Sequence, residues 1–385
     1  MMQLNYISSK KIIVLQMIFF LLIVFCFVGR VHSSTLKELA AKSGIHMGSC
    51  QNADLLVLSA AGEQQYSSTL WGEYDIITPD NNCKWTATQP EEGVFTFDKC
   101  DSEMDFAQKN NQLIRGHNLC WGRYNPPWLE NGNFSSAQLE DLLRNHIDTL
   151  LSRYKSRAFV WDVVNEAISD LNIDKTLFKN NVWYPALPNY VDIAFQQAAA
   201  SRSSPDVKLF YNDYLIERSV GLFGFKSDRM FNMVKDMRQR GIPIDGVGFQ
   251  FHIDINYFDM LSVKKNLERY DEIGVEVHIT ELDVGCQYEH HNQECPQWGD
   301  NELVRQAEVY AAVLQTCMDV KACTSFVTWG FTDLHSWRGV GQHALPFDEN
   351  YVPKLAYQAI ADTLQGNKTW AQAYYRRWQK DGGEI

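Results

Sequence analysis

Short apolar runs recur along the chain, and helical patterns separate them. Eight runs have strand length: Ile45 to Ser49, Tyr74 to Thr78, Gln112 to Trp121, Phe159 to Glu166, Val207 to Tyr211, Gly246 to His252, Val275 to Asp283 and Thr324 to Phe331. The fourth, Phe159-Val160-Trp161-Asp162-Val163-Val164, is nearly all apolar, the pattern of a strand buried on both faces in a parallel sheet. It stops at an amide and a carboxylate, Asn165 and Glu166. Between the runs, Leu139, Leu142, Leu143, Ile147, Leu150 and Leu151 fall at helical spacing from Ser136 to Tyr154, with Ser135 or Ser136 as N-cap. Tyr190 to Arg202 is Ala-rich; Ser227 to Arg240 ends at Gly241 with Pro243 beyond; Ser262 to Ile273 ends at Gly274. Asn301 to Val320 and Leu355 to Leu364 complete the set. Strands alternating with helices imply parallel βαβ units, and eight units favour closure into a (β/α)8 TIM barrel. No internal repeat or low-complexity linker interrupts it, so one domain over 34–366 is expected. The tail 367–385, carrying Trp370, Tyr374, Tyr375 and Trp378, patterns as an amphipathic helix lying on the barrel.

The N-terminus reads differently. Lys10 and Lys11 precede an apolar run from Ile12 to Val28 broken only by Gln16, and Val31-His32-Ser33 follows. That order fits a cleaved signal peptide over 1–33 better than a membrane anchor, although the run could just span a bilayer. A secreted, extracellular chain starting near Ser34 is expected, with no membrane attachment after cleavage. Nine Cys are present, and losing Cys26 with the signal leaves an even set. In an exported chain this suggests disulfides. The close couples Cys286 with Cys295 and Cys317 with Cys323 are candidate bridges, while the pairing of Cys50, Cys83, Cys100 and Cys120 stays open. No CxxC or HExxH spacing occurs, so no metal site and no cofactor are expected. His290 and His291, near Glu289 and Glu294, read as a solvated loop. Asn133-Phe134-Ser135 and Asn367-Lys368-Thr369 are glycosylation sequons. The net charge of −12 argues against a nucleic-acid partner.

At the C-terminal strand ends of such a barrel, where barrel enzymes place their chemistry, the polar residues converge. Strand 4 offers Asn165 and Glu166, strand 6 Gln250 and His252, strand 7 Glu281 and Asp283, and strand 8 Trp329. Strands 4 and 7 face each other across the mouth. Two facing carboxylates suit glycoside hydrolysis, one protonating the leaving oxygen and the other attacking the anomeric carbon. Their environments must differ. Aromatic neighbours such as Trp161 are expected to keep Glu166 an acid. His252, oriented by Asp283, is expected to keep Glu281 ionised. Some of the eleven Trp and seventeen Tyr would line a cleft for sugar rings.

The chain resembles glycoside hydrolase family 10, the endo-β-1,4-xylanases, from about residue 36 to residue 364. Trp161-Asp162-Val163-Val164-Asn165-Glu166 resembles the acid/base motif, and His278-Ile279-Thr280-Glu281-Leu282-Asp283 the nucleophile motif. Tyr211-Asn212-Asp213-Tyr214, Gly248-Phe249-Gln250-Phe251-His252, Val327-Thr328-Trp329-Gly330-Phe331-Thr332-Asp333 and Leu345-Pro346-Phe347-Asp348 follow in the family's order. The resemblance implies a retaining double displacement with Glu166 as acid/base and Glu281 as nucleophile. It implies Asn165 on the sugar 2-hydroxyl, with His117, Trp121, Trp329 and Trp337 walling that subsite. It also implies Asp80, Asn81, Lys84 and Gln250 as sugar contacts, and a Cys317–Cys323 bridge. Three positions depart from the family: Asp80 stands for a Glu, Gly122 for a His and Tyr124 for a Gln. The last two are expected to open the glycone side, with Tyr124 as a new cleft wall. Asp213 and Asp333 read as turn or supporting groups. A monomeric endo-β-1,4-xylanase acting on a polysaccharide is therefore expected. The alternatives are the same chemistry on a glucan or plant glycoside, or a catalytically weak glycan-binding barrel, which the presence of both carboxylates disfavours.

Overall fold

The structure is a computed structural model and describes residues 34–60, 64–221, 223–256, 259–287 and 293–381. The expected signal segment, Cys26, and Glu289, His290 and His291 lie outside these. Eight parallel strands form the barrel: β1 His46–Gln51, β2 Ile76–Pro79, β3 Leu113–Trp121, β4 Val160–Asn165, β5 Lys208–Asp213, β6 Gly246–Phe249, β7 Glu276–Gly285 and β8 Cys323–Thr328. Each pairs with its neighbours in chain order, and β8 pairs with β1, which closes the ring. The eight apolar runs and the eight strands coincide in order.

Burial inside a ring of helices explains the unbroken apolar sequences: Val160, Trp161, Val163 and Val164 of β4 are all buried. The indole of Trp161 takes its place because β3 presents Gly116 opposite it. A Cβ at Gly116 would lie 2.3 Å from that ring. The helix Ser136–Tyr154 starts at a capping box, Ser135 Oγ accepting from the Gln138 backbone while Gln138 Oε1 accepts from the Ser135 backbone at 2.9 Å. The helix Thr369–Lys380 buries Ala371, Tyr374 and Trp378, and Arg377 reaches back to Glu308 at 2.9 Å.

The sixth run differs from its expectation. β6 stops at Phe249, Phe251 turns to φ +59°, and a three-residue strand, His252–Asp254, then pairs with the end of β7. The break has a hydrogen-bond cause. Gln250 N donates to Asp213 O at 3.0 Å on one side, and its carbonyl accepts from Glu281 N at 3.0 Å on the other. Phe251 N is captured instead by Glu217 Oε1 at 3.2 Å. The kink lets both Gln250 and His252 line the cleft.

Among the described residues three disulfides form: Cys83–Cys100, Cys286–Cys295 and Cys317–Cys323. The two short-range couples read from spacing are both present. The pairing left open resolves into one bridge, with Cys50 and Cys120 as buried thiols.

Candidate active site

A cleft of about 420 Å³ opens at the C-terminal mouth of the barrel. Lys84, His117, Trp121, Tyr124, Asn165, Glu166, Gln250, His252, Glu281, Trp329 and Trp337 all line it. An adjoining recess of about 300 Å³ shares Trp329 and Trp337 and includes Asp80. Asn81 acts from behind, accepting from Lys84 Nζ at 2.8 Å. Every residue singled out from the sequence for this site is thus at the mouth or bonded to a residue there.

Glu166 leaves β4 in the left-handed region, φ +54°, which costs a non-glycine residue on the order of 1 kcal/mol. Its surroundings hold it there. Its N–H donates to Asn212 O at 2.9 Å, and the next two amides, Ala167 and Ile168, donate to Tyr211 Oη at 3.0 and 3.1 Å. Tyr211 in turn donates to Asp213 at 2.6 Å. The turn aims the carboxylate into the cleft, where Gln250 Nε2 donates to Oε1 at 3.0 Å and Trp121 Nε1 to Oε2 at 3.1 Å. Burial raises the pKa of Glu166, and the negative charges of Asp213 and Glu281 add to it against the opposing effects of Gln250 and Lys179. The aromatic neighbour is not Trp161. Side chains alternate along β4, so Trp161 packs near Tyr154, and Trp121 from β3 supplies the ring at the carboxylate.

Glu281 meets a different set of donors. Asn212 Nδ2 lies 2.7 Å from Oε1, and His252 Nε2 lies 3.1 Å from Oε2. Burial disfavours a charge on His252, but Asp283 and Glu281 overcome it and push its pKa up to about 10. The imidazolium then donates from both nitrogens, with Nδ1 2.8 Å from Asp283 Oδ2. Asp283 is buried yet held low by His252 and Arg338; Arg338 donates to it at 2.8 Å and Trp337 Nε1 at 2.7 Å. The two glutamates are therefore unlike. One is a desolvated carboxyl beside negative charge, and the other accepts from an amide and an imidazolium.

Between them sits Asn165. Its Oδ1 accepts from Asn212 at 2.9 Å and Gln250 at 3.4 Å, which leaves its NH2 group to offer to a ligand. His117 is fixed by Asp162 at 2.9 Å, and Asp162 is clamped by the buried Arg115. Gln250, expected as a sugar contact, lines the cleft and also donates to Glu166 directly. Asn212, Asp162, Arg338 and Tyr214 were not singled out for the site from the sequence. Asp162, Asn212 and Tyr214 lie inside quoted motifs, but only strand pairing reveals what they touch. Among the described residues no cluster of His, Cys, Asp and Glu could hold a metal ion.

The sequence profile of glycosyl hydrolase family 10 matches residues 35–363. The chain belongs to that family. Endo-1,4-beta-xylanase B of Thermotoga neapolitana is 37% identical over 338 residues, 86% of this chain and 91% of that protein. Endo-1,4-beta-xylanase C of Phanerodontia chrysosporium is 35% identical, covering 86% of this chain and 79% of the relative. Among solved structures, xylanase 10B from Thermotoga petrophila RKU-1 in complex with xylobiose superposes with a TM-score of 0.80 at 35% identity, covering 88% of this chain and 99% of that one.

This family 10 glycoside hydrolase carries its departures on one wall. Gly122 does not leave an opening beside the cleft: the side chain of Asn181 packs against it, and a Cβ there would lie 2.5 Å from Nδ2. Asn181 is held by accepting from the amides of Trp183 and Tyr184 at 2.8 and 3.0 Å. The space expected at Gly122 is therefore filled. Tyr124 stands as a wall, its ring stacked on Trp121 at 5.1 Å and 8°. Lys84 Nζ lies 4.6 Å from the Tyr124 centroid and 5.1 Å from that of Trp121. Asp80 is 3.9 Å from the same ammonium, and burial raises its pKa.

Proposed function

We propose that this enzyme hydrolyses internal β-1,4-xylosidic bonds of xylan with retention of configuration. The observation that carries the reading is the pair of unlike glutamates in one cleft. Glu166, whose pKa is raised by desolvation and by the charge of Asp213, is suited to donate its proton to the leaving oxygen. Glu281, met by Asn212 and the His252 imidazolium, is suited to attack the anomeric carbon as an anion. A glycosyl ester on Glu281 then forms, and Glu166, now a base, takes a proton from the water that breaks it. Asn165 offers its NH2 group to the sugar 2-hydroxyl. His117, Trp121, Trp329 and Trp337 enclose that ring, with Lys84, Asn81 and Asp80 on the ring beyond.

The names of the relatives support xylan as the polymer. The filled space at Gly122 argues against the bulkier exocyclic hydroxymethyl of a glucan. The basic-then-apolar N-terminus supports secretion, and among the described residues no helix is long and apolar enough to cross a membrane. Asn133 and Asn367 are both exposed, as glycan acceptors must be.

The test is product analysis on xylan, cellulose and mixed-linkage glucan, with the anomer of the first product read by NMR. Xylose oligomers released as the β anomer are expected, and Glu166→Ala and Glu281→Ala should each nearly abolish turnover. Glucose oligomers, or an α anomer, would end this reading, and near-wild-type turnover in either variant would remove that residue's role.

A further inference from the structure

Among the described residues, the cleft contains one cation that nothing in the proposed reaction uses. Arg123 lines it between Gly122 and Tyr124 and is exposed. Among the described residues it makes no hydrogen bond or ion pair. Other cations in and around the mouth are committed. Lys84 bonds Asn81 at 2.8 Å, Lys179 pairs with Asp170 at 3.1 Å, and Arg115 and Arg338 are buried on Asp162 and Asp283. A free guanidinium at the substrate groove of a chain with net charge −12 is a local exception to the field around it.

A guanidinium is a fork of donors that matches a carboxylate in two bonds. The neutral main chain of a pentose polymer has no carboxylate to offer. The neighbour of Arg123 supplies the rest of a site: Tyr124 is 54% exposed and stacks on Trp121, giving an aromatic face of the kind on which a sugar ring lies. Lys84, close to both rings, adds positive potential.

We propose that Arg123 and Tyr124 together hold a carboxylate-bearing sugar, a uronic acid branch, carried on the polymer that the cleft cleaves. The ring packs on Tyr124 and the carboxylate meets the Arg123 guanidinium. The inference rests on the xylan reading above and specifies which xylan: an acidic, branched one.

The test compares kcat/KM on two substrates, xylohexaose and a xylo-oligosaccharide of the same length bearing a single glucuronic acid branch. Wild type, Arg123→Gln and Arg123→Lys are measured at low salt and at about 0.5 M NaCl, where exposed charges are screened. The acidic-to-neutral ratio should fall about tenfold in Arg123→Gln, the loss of one charge-assisted contact, mainly through KM. Arg123→Lys should fall between, and salt should erase most of the wild-type preference. A ratio in Arg123→Gln within about twofold of wild type at low salt would overturn the inference while leaving the xylan reading intact. Cleavage of neither oligosaccharide by wild type would overturn the xylan reading itself, and this inference with it.

Discussion

Asn212 donates to Glu281 at 2.7 Å, and the direction of its amide is fixed rather than chosen. A carboxylate only accepts, so the NH2 end must face Glu281, and Thr280 Oγ1 donates to Asn212 Oδ1 at 2.7 Å on the other side. The same NH2 reaches Asn165 at 2.9 Å. One buried amide at the end of β5 therefore positions residues of both β4 and β7. A hydrogen bond to a charged group is worth about 1.5–3 kcal/mol, so Asn212→Ala should lower kcat about 10- to 100-fold. Asn212→Asp, which keeps the shape but sets a second carboxylate against Glu281, should be worse. Steady-state kinetics on xylan with a near-UV CD control decides it; an Ala variant within twofold of wild-type kcat would remove the positioning role.

Gly248 on β6 should behave as part of the same device. A Cβ there would lie 2.1 Å from Asn212 Oδ1 and 2.8 Å from Thr280 Cγ2. Strands on both sides leave little room to move, so Asn212 has to give. Gly248→Ala should lose activity as Asn212→Ala does and also cost about 1–3 kcal/mol of stability through overpacking. A variant with wild-type kcat and wild-type Tm would show that the amide has another place to go.

Much of this was legible in the sequence, and the reasons are local. Eight apolar runs separated by helix-length patterns mark the barrel, because a doubly buried strand needs an unbroken apolar stretch. Glu166 and Glu281 are legible because a charge at the end of such a stretch has only the rim to occupy. Asn212 is not, because its role depends on β4, β5 and β7 lying side by side. The same is true of Trp121, which replaces Trp161 at Glu166: parity along one strand points one ring away, and only pairing with β3 brings the other in. Asn181 filling the space at Gly122 is a contact across 59 residues of chain, beyond the reach of any pattern.

The cysteine arrangement yields a count. Cys50 and Cys120 are buried thiols, and burial raises the pKa of both. The mature chain proposed above, unfolded without reductant, should titrate two thiols, and the native chain fewer, because Cys120 is fully buried while Cys50 lines the recess beside the cleft. A third thiol on unfolding would mean that Cys26, and so the N-terminal segment, is retained. Zero would mean that Cys50 and Cys120 are oxidised in some pairing other than the one described.

Glu103 should set part of the alkaline stability limit. It is fully buried with Asn82 as a donor at 3.0 Å, and burial pushes its pKa from 4.5 up to about 8. A folded-state pKa above the unfolded one means that folding favours the protonated form. That stability is complete below about pH 4.5 and is lost as pH rises towards 8. Glu103→Gln carries no such proton. Its Tm should fall less than that of wild type between pH 5 and 8, with the two curves diverging by a few degrees. Parallel curves would mean that Glu103 takes up no proton on folding within that range.

Lys179 offers a test of which glutamate is the acid. Its positive charge lowers the pKa of Glu166, against the burial and the Asp213 charge that raise it. Its ammonium lies 3.0 Å from Tyr214 Oη and 3.1 Å from Asp170. Lys179→Met removes the cation and leaves Asp170 less neutralised, and both changes disfavour ionised Glu166. A general acid works while protonated, so activity falls as pH rises through its pKa, and a higher pKa moves that fall to higher pH. The alkaline limb of kcat/KM should therefore shift upward in Lys179→Met, while the acidic limb, set elsewhere, stays in place. A downward shift, or movement of the acidic limb alone, would assign the proton donor to a group other than Glu166.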